Sequence, residues 1–162
     1  MAEVTYEFST ASFPISRYTD PSEILDFCRD RGIDESEFYS FNRDKVEIDG
    51  DFIGFKVGGW DDLIDLASIL ESCDVNEEGA YIAYCHDMGT VCTYSEFSDA
   101  WQGAYHSAMD FAQEFCEECY DMDKLPEFLR YNIDWEGVAS DFRHDYTFLE
   151  NPSGGVYVFR NV

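Results

Sequence analysis

SAMDFAQEFCEECY, residues 107–120, reads as an amphipathic helix with one acid face. Ala108, Met109, Phe111, Ala112, Phe115, Cys116 and Cys119 recur at three- and four-residue steps, the spacing of a helix that buries one stripe. Asp110, Glu114, Glu117 and Glu118 fall outward, and Glu114 and Glu118 stand four apart, where like charges repel. A helix that accepts this cost, with no basic residue to relieve it, points to the negative surface itself as the property under selection.

Outward from this helix the pattern widens. No Lys or Arg occurs from Val57 to Asp123, a stretch of 67 residues that holds sixteen Asp and Glu. Folded domains normally mix both signs on their faces, because like charges gathered by folding repel. The whole chain of 162 residues has 35 acids against 10 bases, a formal charge of −25. Such charge often accompanies disorder, but 45 % apolar and 17 % aromatic residues supply enough surface to bury a core. Halophilic adaptation also yields acid surfaces, and the aromatic content fits it less well.

A compact chain of this length has a diameter of about 40 Å. Duplex DNA carries about 24 phosphate charges over that length. The chain therefore matches an equal length of duplex in charge. Such a surface repels nucleic acid and anionic membranes, so neither is an expected partner. It attracts proteins whose grooves hold a phosphate backbone. No stretch approaches the length of a membrane span, and Met1-Ala2-Glu3-Val4 opens without a secretory pattern. The expected location is the cytoplasm, with the six cysteines as reduced thiols.

Strand and helix signals alternate along the chain. Glu3–Ser9 alternates as a strand. Asp20-Pro21-Ser22-Glu23 starts a helix that Gly32 ends, with Glu23 completing a capping box. A short helix is expected over Glu35–Phe41, and strands over Val46–Asp49 and Phe52–Val57 about an Asp49-Gly50 turn. Asp61 is expected to cap a helix through Leu63, Ile64, Leu66, Ala67, Ile69 and Leu70, and Glu77–His86 to form another. Ser95 opens a segment with Phe97, Ala100, Trp101 and Ala104 on one face. Past the acid helix come a short helix from Leu125-Pro126 to Asn132 and one capped by Asp134, with Trp135, Val138, Ala139 and Phe142 inward. Tyr146–Leu149 and Val156–Phe159 close the chain as a hairpin. The reading is α+β: two to three small subdomains (1–58, 59–93 and 94–162) built of short helices, small antiparallel sheets and a C-terminal β-hairpin.

Catalytic patterns are lacking. Cys116-x-x-Cys119 is the only close Cys pair. Cys85, His86 and Cys92 could add ligands by type, but the pair's three-residue step fits helix packing better. His86, His106 and His144 have no nucleophile setting. Asp61, Asp62 and Asp65 lack the glycine and twelfth-position Glu of a calcium loop, and Gly58-Gly59 has no following Lys for phosphate. No catalytic residue, cofactor or metal ligand is assigned.

Phe97-Ser98-Asp99-Ala100-Trp101-Gln102-Gly103 resembles the F-x-D-A-W-x-G segment of the ArdA antirestriction family. Residues 108–119 are similar to that family's acidic helix. Residues 125–142 (LPEFLRYNIDWEGVASDF) resemble its antirestriction motif through Leu125, Pro126, Tyr131, Asp134, Trp135, Glu136, Ala139 and Asp141. The closing hairpin is also similar, so the resemblance covers about residues 94–162. The family's opening Tyr-Asn-x-Gly and Gly-x-Trp have no counterpart in the N-terminal half.

The resemblance implies an elongated α+β homodimer, carried by phages, plasmids or transposons and acting in a bacterial host cell. It implies a mimic of bent duplex DNA that occupies the DNA groove of type I restriction–modification enzymes, without catalysis or cofactor. The residues expected to stand in for phosphates are Asp61, Asp62, Asp65, Glu71, Asp74, Glu77, Glu78, Asp110, Glu114, Glu117, Glu118 and Asp121. Two further readings stay open: a mimic aimed at another DNA-binding defence complex, such as a CRISPR effector, and an acidic module that binds basic proteins. A zinc- or calcium-dependent enzyme would hold stoichiometric metal.

Overall fold

The computed structural model describes residues 1–162, the side chain of Arg17 excepted. The chain forms two units, Met1–Ser95 and Glu96–Val162. Each covers a small antiparallel sheet with short helices, the α+β organisation that the alternating signals predict.

In the first unit β1 (Val4–Glu7) lies between β2 (Ser12–Pro14) and β3 (Val46–Ile48), with β4 (Asp51–Phe52) outside β3. Val4 faces Ile48 across the ladder, and Tyr6 faces Val46 and Phe13, all buried. The Asp49-Gly50 turn has φ of 54° and 85°, the doubly left-handed geometry that suits a tight hairpin. Helix α1 (Pro21–Arg31) begins where Asp20 accepts from Ser22 N at 2.7 Å and ends at Gly32. Glu23 accepts from Thr19 N rather than Asp20 N, so the expected capping box is displaced by one residue. Helix α2 (Glu35–Tyr39) stops two residues short of expectation.

Helix α3 (Trp60–Ser72) buries Leu63, Leu66, Ala67 and Leu70 and packs on α1 and on the turn Ile15–Arg17. Its first residue, Trp60, is the hub of the unit. Its indole N–H donates to Phe38 O at 2.9 Å, and the rings of Tyr6, Phe8, Phe38 and Phe41 lie 4.6–5.9 Å away. Gly59, not Asp61, is the N-cap: the helix starts early enough to bring Trp60 into the core, which puts Asp61 in the first turn. Helix α4 (Val75–Met88) also starts earlier than expected, at a capping box of Asp74 and Glu77.

The expected strand Phe52–Val57 is paired only at its start. Ile53, Phe55 and Val57 are buried in alternation, but Gly54 has a φ of 65° and turns the chain off the ladder. Lys56 then pairs by its backbone with Gly89 and Val91 instead.

Helix α5 (Tyr94–Ala100) leads into the second unit, where β7 (Val156–Arg160) lies between β5 (Trp101–Tyr105) and β6 (Tyr146–Glu150). Trp101 and Ala104, expected to continue a helical face, belong to a strand. Pairing with β7 overrides the local period, with a register shift between Trp101 and Gly103. Gly155 is obligatory in the closing hairpin loop, since its φ is 86° and an added Cβ would strike the Tyr105 carbonyl. Helix α6 (Ala108–Cys119) starts at Ser107, whose hydroxyl accepts from Asp110 N at 3.1 Å. It packs on α8 (Trp135–Phe142) and on β5 and β7. Phe111 anchors it, with Tyr105, Phe142, Tyr146 and Phe148 rings 4.9–5.8 Å away. Cys116 and Cys119 do not belong to this core: the first is half-buried and the second exposed, because only the N-terminal half of α6 lies fully under cover. A short helix α7 (Glu127–Arg130) sits between α6 and α8. Among the described residues no helix is long and apolar enough to cross a membrane.

Candidate functional site

The acid excess is shared by both units. Residues 1–95 hold twenty-one acids against six bases, and residues 96–162 fourteen against four. What differs between the acids is what each carboxylate does for the fold.

In the second unit Asp110, Glu114, Glu117 and Glu118 are all exposed along α6. Asp110 takes a hydrogen bond from the Ser107 hydroxyl and Glu117 one from the Gln113 amide. None of the four is paired with a base among the described residues. From Asp110 to Glu118 the helix rises about 12 Å, with steps of about 6, 4.5 and 1.5 Å between successive carboxylates and a mean of about 4 Å. Along one strand of a duplex phosphates recur about every 3.4 Å of axis. Asp121, just beyond the helix, is bridged to Lys124 at 2.9 Å.

The first unit divides its acids differently. Asp61, Asp65 and Glu71 project from α3, exposed and without hydrogen bond or ion pair among the described residues. Asp62 accepts from Gly58 N at 2.7 Å. Asp74 accepts from Asn76 N and Glu77 N, while Glu77 accepts from Asp74 N. Glu78, with a side chain only 14 % exposed, accepts from Ala2 N and faces the Met1 amino group at 3.7 Å. These four carboxylates hold helix starts and the chain's first residues in place. The spare anions of this unit's candidates are the three on α3.

Neighbouring groups register the field. The Tyr94 phenol is held above its ordinary range chiefly by the charge of Glu77. Burial pushes the Cys73 thiol up to about 11, with Glu77, Glu78 and Asp74 adding to it. Burial, then Glu114 and Glu118, raise Tyr105. Each of these groups would become an anion on losing its proton, and the acids around it oppose that.

The segment resembling the antirestriction motif folds as α7, a turn and α8. Pro126 caps α7 and Tyr131 ends it, 75 % exposed. Asp134 caps α8 by accepting from Gly137 N at 3.0 Å, as its position in the sequence predicts. Leu125 and Trp135 are half-buried, Ala139 is buried, and Glu136 and Asp141 face solvent. Arg130 ties the turn together, pairing with Asp123 at 3.2 Å and donating to the Asp123 and Leu125 carbonyls. Sequence reasoning missed the apolar surface here: Tyr120, Phe128, Leu129 and Tyr131 are all exposed. Tyr120, Tyr131 and Trp135 share the walls of a cleft of about 550 Å³. A helix of four residues has no second turn in which to hide Phe128 and Leu129, and its brevity is the signal that could have revealed them. Among the described residues no group of three or more His, Cys, Asp or Glu gathers as a metal site.

A family model described as Antirestriction protein (ArdA) matches residues 47–157. No curated protein and no solved structure matches the chain. The matched span opens in β3, closes in β7 and takes in the acid helices and the α7–α8 segment, reaching well upstream of the part where resemblance is visible by eye. With more than half of its length inside that model, the chain belongs to the ArdA family of antirestriction proteins.

Proposed function

We propose that this antirestriction protein inhibits type I restriction–modification enzymes by DNA mimicry: its carboxylates stand in for phosphates in the groove that otherwise holds duplex DNA. The observation that carries this reading is the α6 row. Asp110, Glu114, Glu117 and Glu118 are exposed, unpaired with any base among the described residues, and carry a mean charge density along the axis close to that of one phosphate strand. Asp61, Asp65 and Glu71 add the same kind of surface on α3, and Asp74, Glu77, Glu78, Asp62 and Asp121 contribute charge while serving the fold. The acting form is a homodimer. The exposed apolar residues Tyr120, Phe128, Leu129 and Tyr131 support this, since they offer apolar surface that a second copy can cover.

Competition against a labelled DNA duplex on a purified type I enzyme tests the mechanism. The protein displaces DNA, and its affinity falls steeply with added salt. Single neutralisations on α6 change affinity by about twofold or less, because the field is distributed. Reversal of Glu114, Glu117 and Glu118 together to Lys abolishes inhibition. Affinity that is indifferent to salt counts against the mechanism. Sedimentation that finds only monomer removes the dimer and leaves mimicry standing.

A further inference from the structure

We infer that a cleft of about 310 Å³ beside α3 receives an arginine side chain of the inhibited protein, its guanidinium between Asp65 and the Tyr94 ring. The inference rests on the DNA-mimic reading and adds a discrete pocket to what is otherwise a distributed field.

The cleft lies between the outer side of α3, at Asp62, Asp65 and Ile69, and the chain at Val91 and Tyr94. Ile69 and Val91 are half-buried and give it apolar walls. Tyr94 is 42 % exposed and supplies an aromatic face. Of the two carboxylates, Asp62 is committed to Gly58 N, whereas Asp65 is exposed and holds no hydrogen bond or ion pair among the described residues. No base lies between Val57 and Asp123. Lys56 pairs near this place only through its backbone, and its side chain is not part of the cleft walls.

Those walls select the occupant. The volume is at the small end for ligand clefts, about right for one side chain rather than a cofactor. An apolar floor takes a methylene stem, an aromatic face takes a delocalised cation, and an unpaired carboxylate takes its N–H groups. Arginine offers all three, and its planar head stacks and forks where an ammonium cannot. Proteins that hold DNA commonly insert arginines into the narrow groove between phosphate rows. A cleft lined by Asp65, on the helix that also carries Asp61 and Glu71, offers such a side chain a matching place.

The test titrates capped arginine amide, capped lysine amide and capped citrulline amide into the isotope-labelled full chain, followed by amide resonances. Arginine gives saturable shifts at Ile69, Thr93 and Tyr94, tighter than lysine by about threefold or more, and the neutral citrulline gives none. Ser68→Trp fills the cleft without altering charge and abolishes the shifts. Ser72→Trp, one turn along and outside the cleft, preserves them. Resonance dispersion equal to the parent's establishes that both variants fold. Non-saturating shifts spread over exposed acids, equal binding of citrulline, or an unaffected Ser68→Trp overturns the inference.

In parallel, each protein is assayed as an inhibitor of a purified type I restriction endonuclease. Ser68→Trp weakens inhibition by about tenfold, within what one buried charged contact carries, while Ser72→Trp matches the parent. Equal inhibition by Ser68→Trp and the parent overturns the pocket and spares mimicry. A parent that does not inhibit overturns mimicry of this enzyme's DNA, and the arginine titration then decides the pocket by itself.

Discussion

Tyr94 and Cys73 are the residues on which the acid field of the first unit can be read most directly. The phenol of Tyr94 is held protonated chiefly by the charge of Glu77, and only secondarily by burial. Phenolate is the charged form, so a neighbouring carboxylate raises its pKa and loss of that carboxylate lowers it. Glu77→Gln therefore moves the Tyr94 titration down toward the ordinary phenol range, measured on its own ring resonances between neutral and alkaline pH. An unmoved titration would mean that Tyr94 does not sense the charge of α4. Glutamine can still accept from Asp74 N, so the helix start survives. At this scale the sequence was legible where a motif is local. Asp20 and Asp134 cap the helices that follow them, and Gly32 ends α1. It misled where a core residue outranked the cap, as with Trp60 ahead of Asp61. It was silent on which acids are spare, because Glu78 and Glu71 look alike until Glu78 is seen holding Ala2 N.

Among the elements, α6 shows the conflict between stability and charge most plainly. Its acids continue into the last turns, where the helix dipole favours cations, and no base stands there. Asp110, Glu114 and Glu118 follow one another at four-residue steps, each a repulsive pair. Phe111 and Ala112 hold the helix down against this. Relieving the conflict stabilises the unit: Glu114→Gln with Glu118→Gln raises unfolding free energy by about 0.5–1 kcal/mol, read from urea denaturation, and weakens inhibition at the same time. A double variant no more stable than the parent would show that the acids cost the helix nothing. The acid face of α6 was readable from spacing alone, as was the closing hairpin. Strand β5 was not: the run Trp101–Tyr105 becomes a strand through pairing with β7, more than fifty residues on, and no local period encodes that. Nor does the sequence reveal that β1, which lies ahead of the family match, is a central strand with β3 on one side. The unmatched N-terminal segment is thereby part of the sheet itself.

For the whole molecule, one physical quantity acts on folding and on binding with opposite sign. A net charge of −25 repels itself in the compact state, and added salt screens that repulsion. The same salt screens attraction to a basic groove and competes with it. Raising salt from about 50 to 200 mM therefore raises the unfolding temperature while it weakens binding to the target by about tenfold or more, measured by calorimetry and by competition with DNA on the same preparation. Each alternative for the acid surface predicts a different pair of signs. Adaptation to a saline interior gives stability that rises with salt and no salt-sensitive partner. A surface neutralised internally gives neither change, and here the bases paired among the described residues, Lys124 and Arg130 in the second unit and Arg29, Arg43 and Lys45 in the first, are too few to neutralise it. Only a surface whose repulsion is tolerated for the sake of a cationic partner gives both trends together, and because both follow from one charge, losing either trend breaks the link between them.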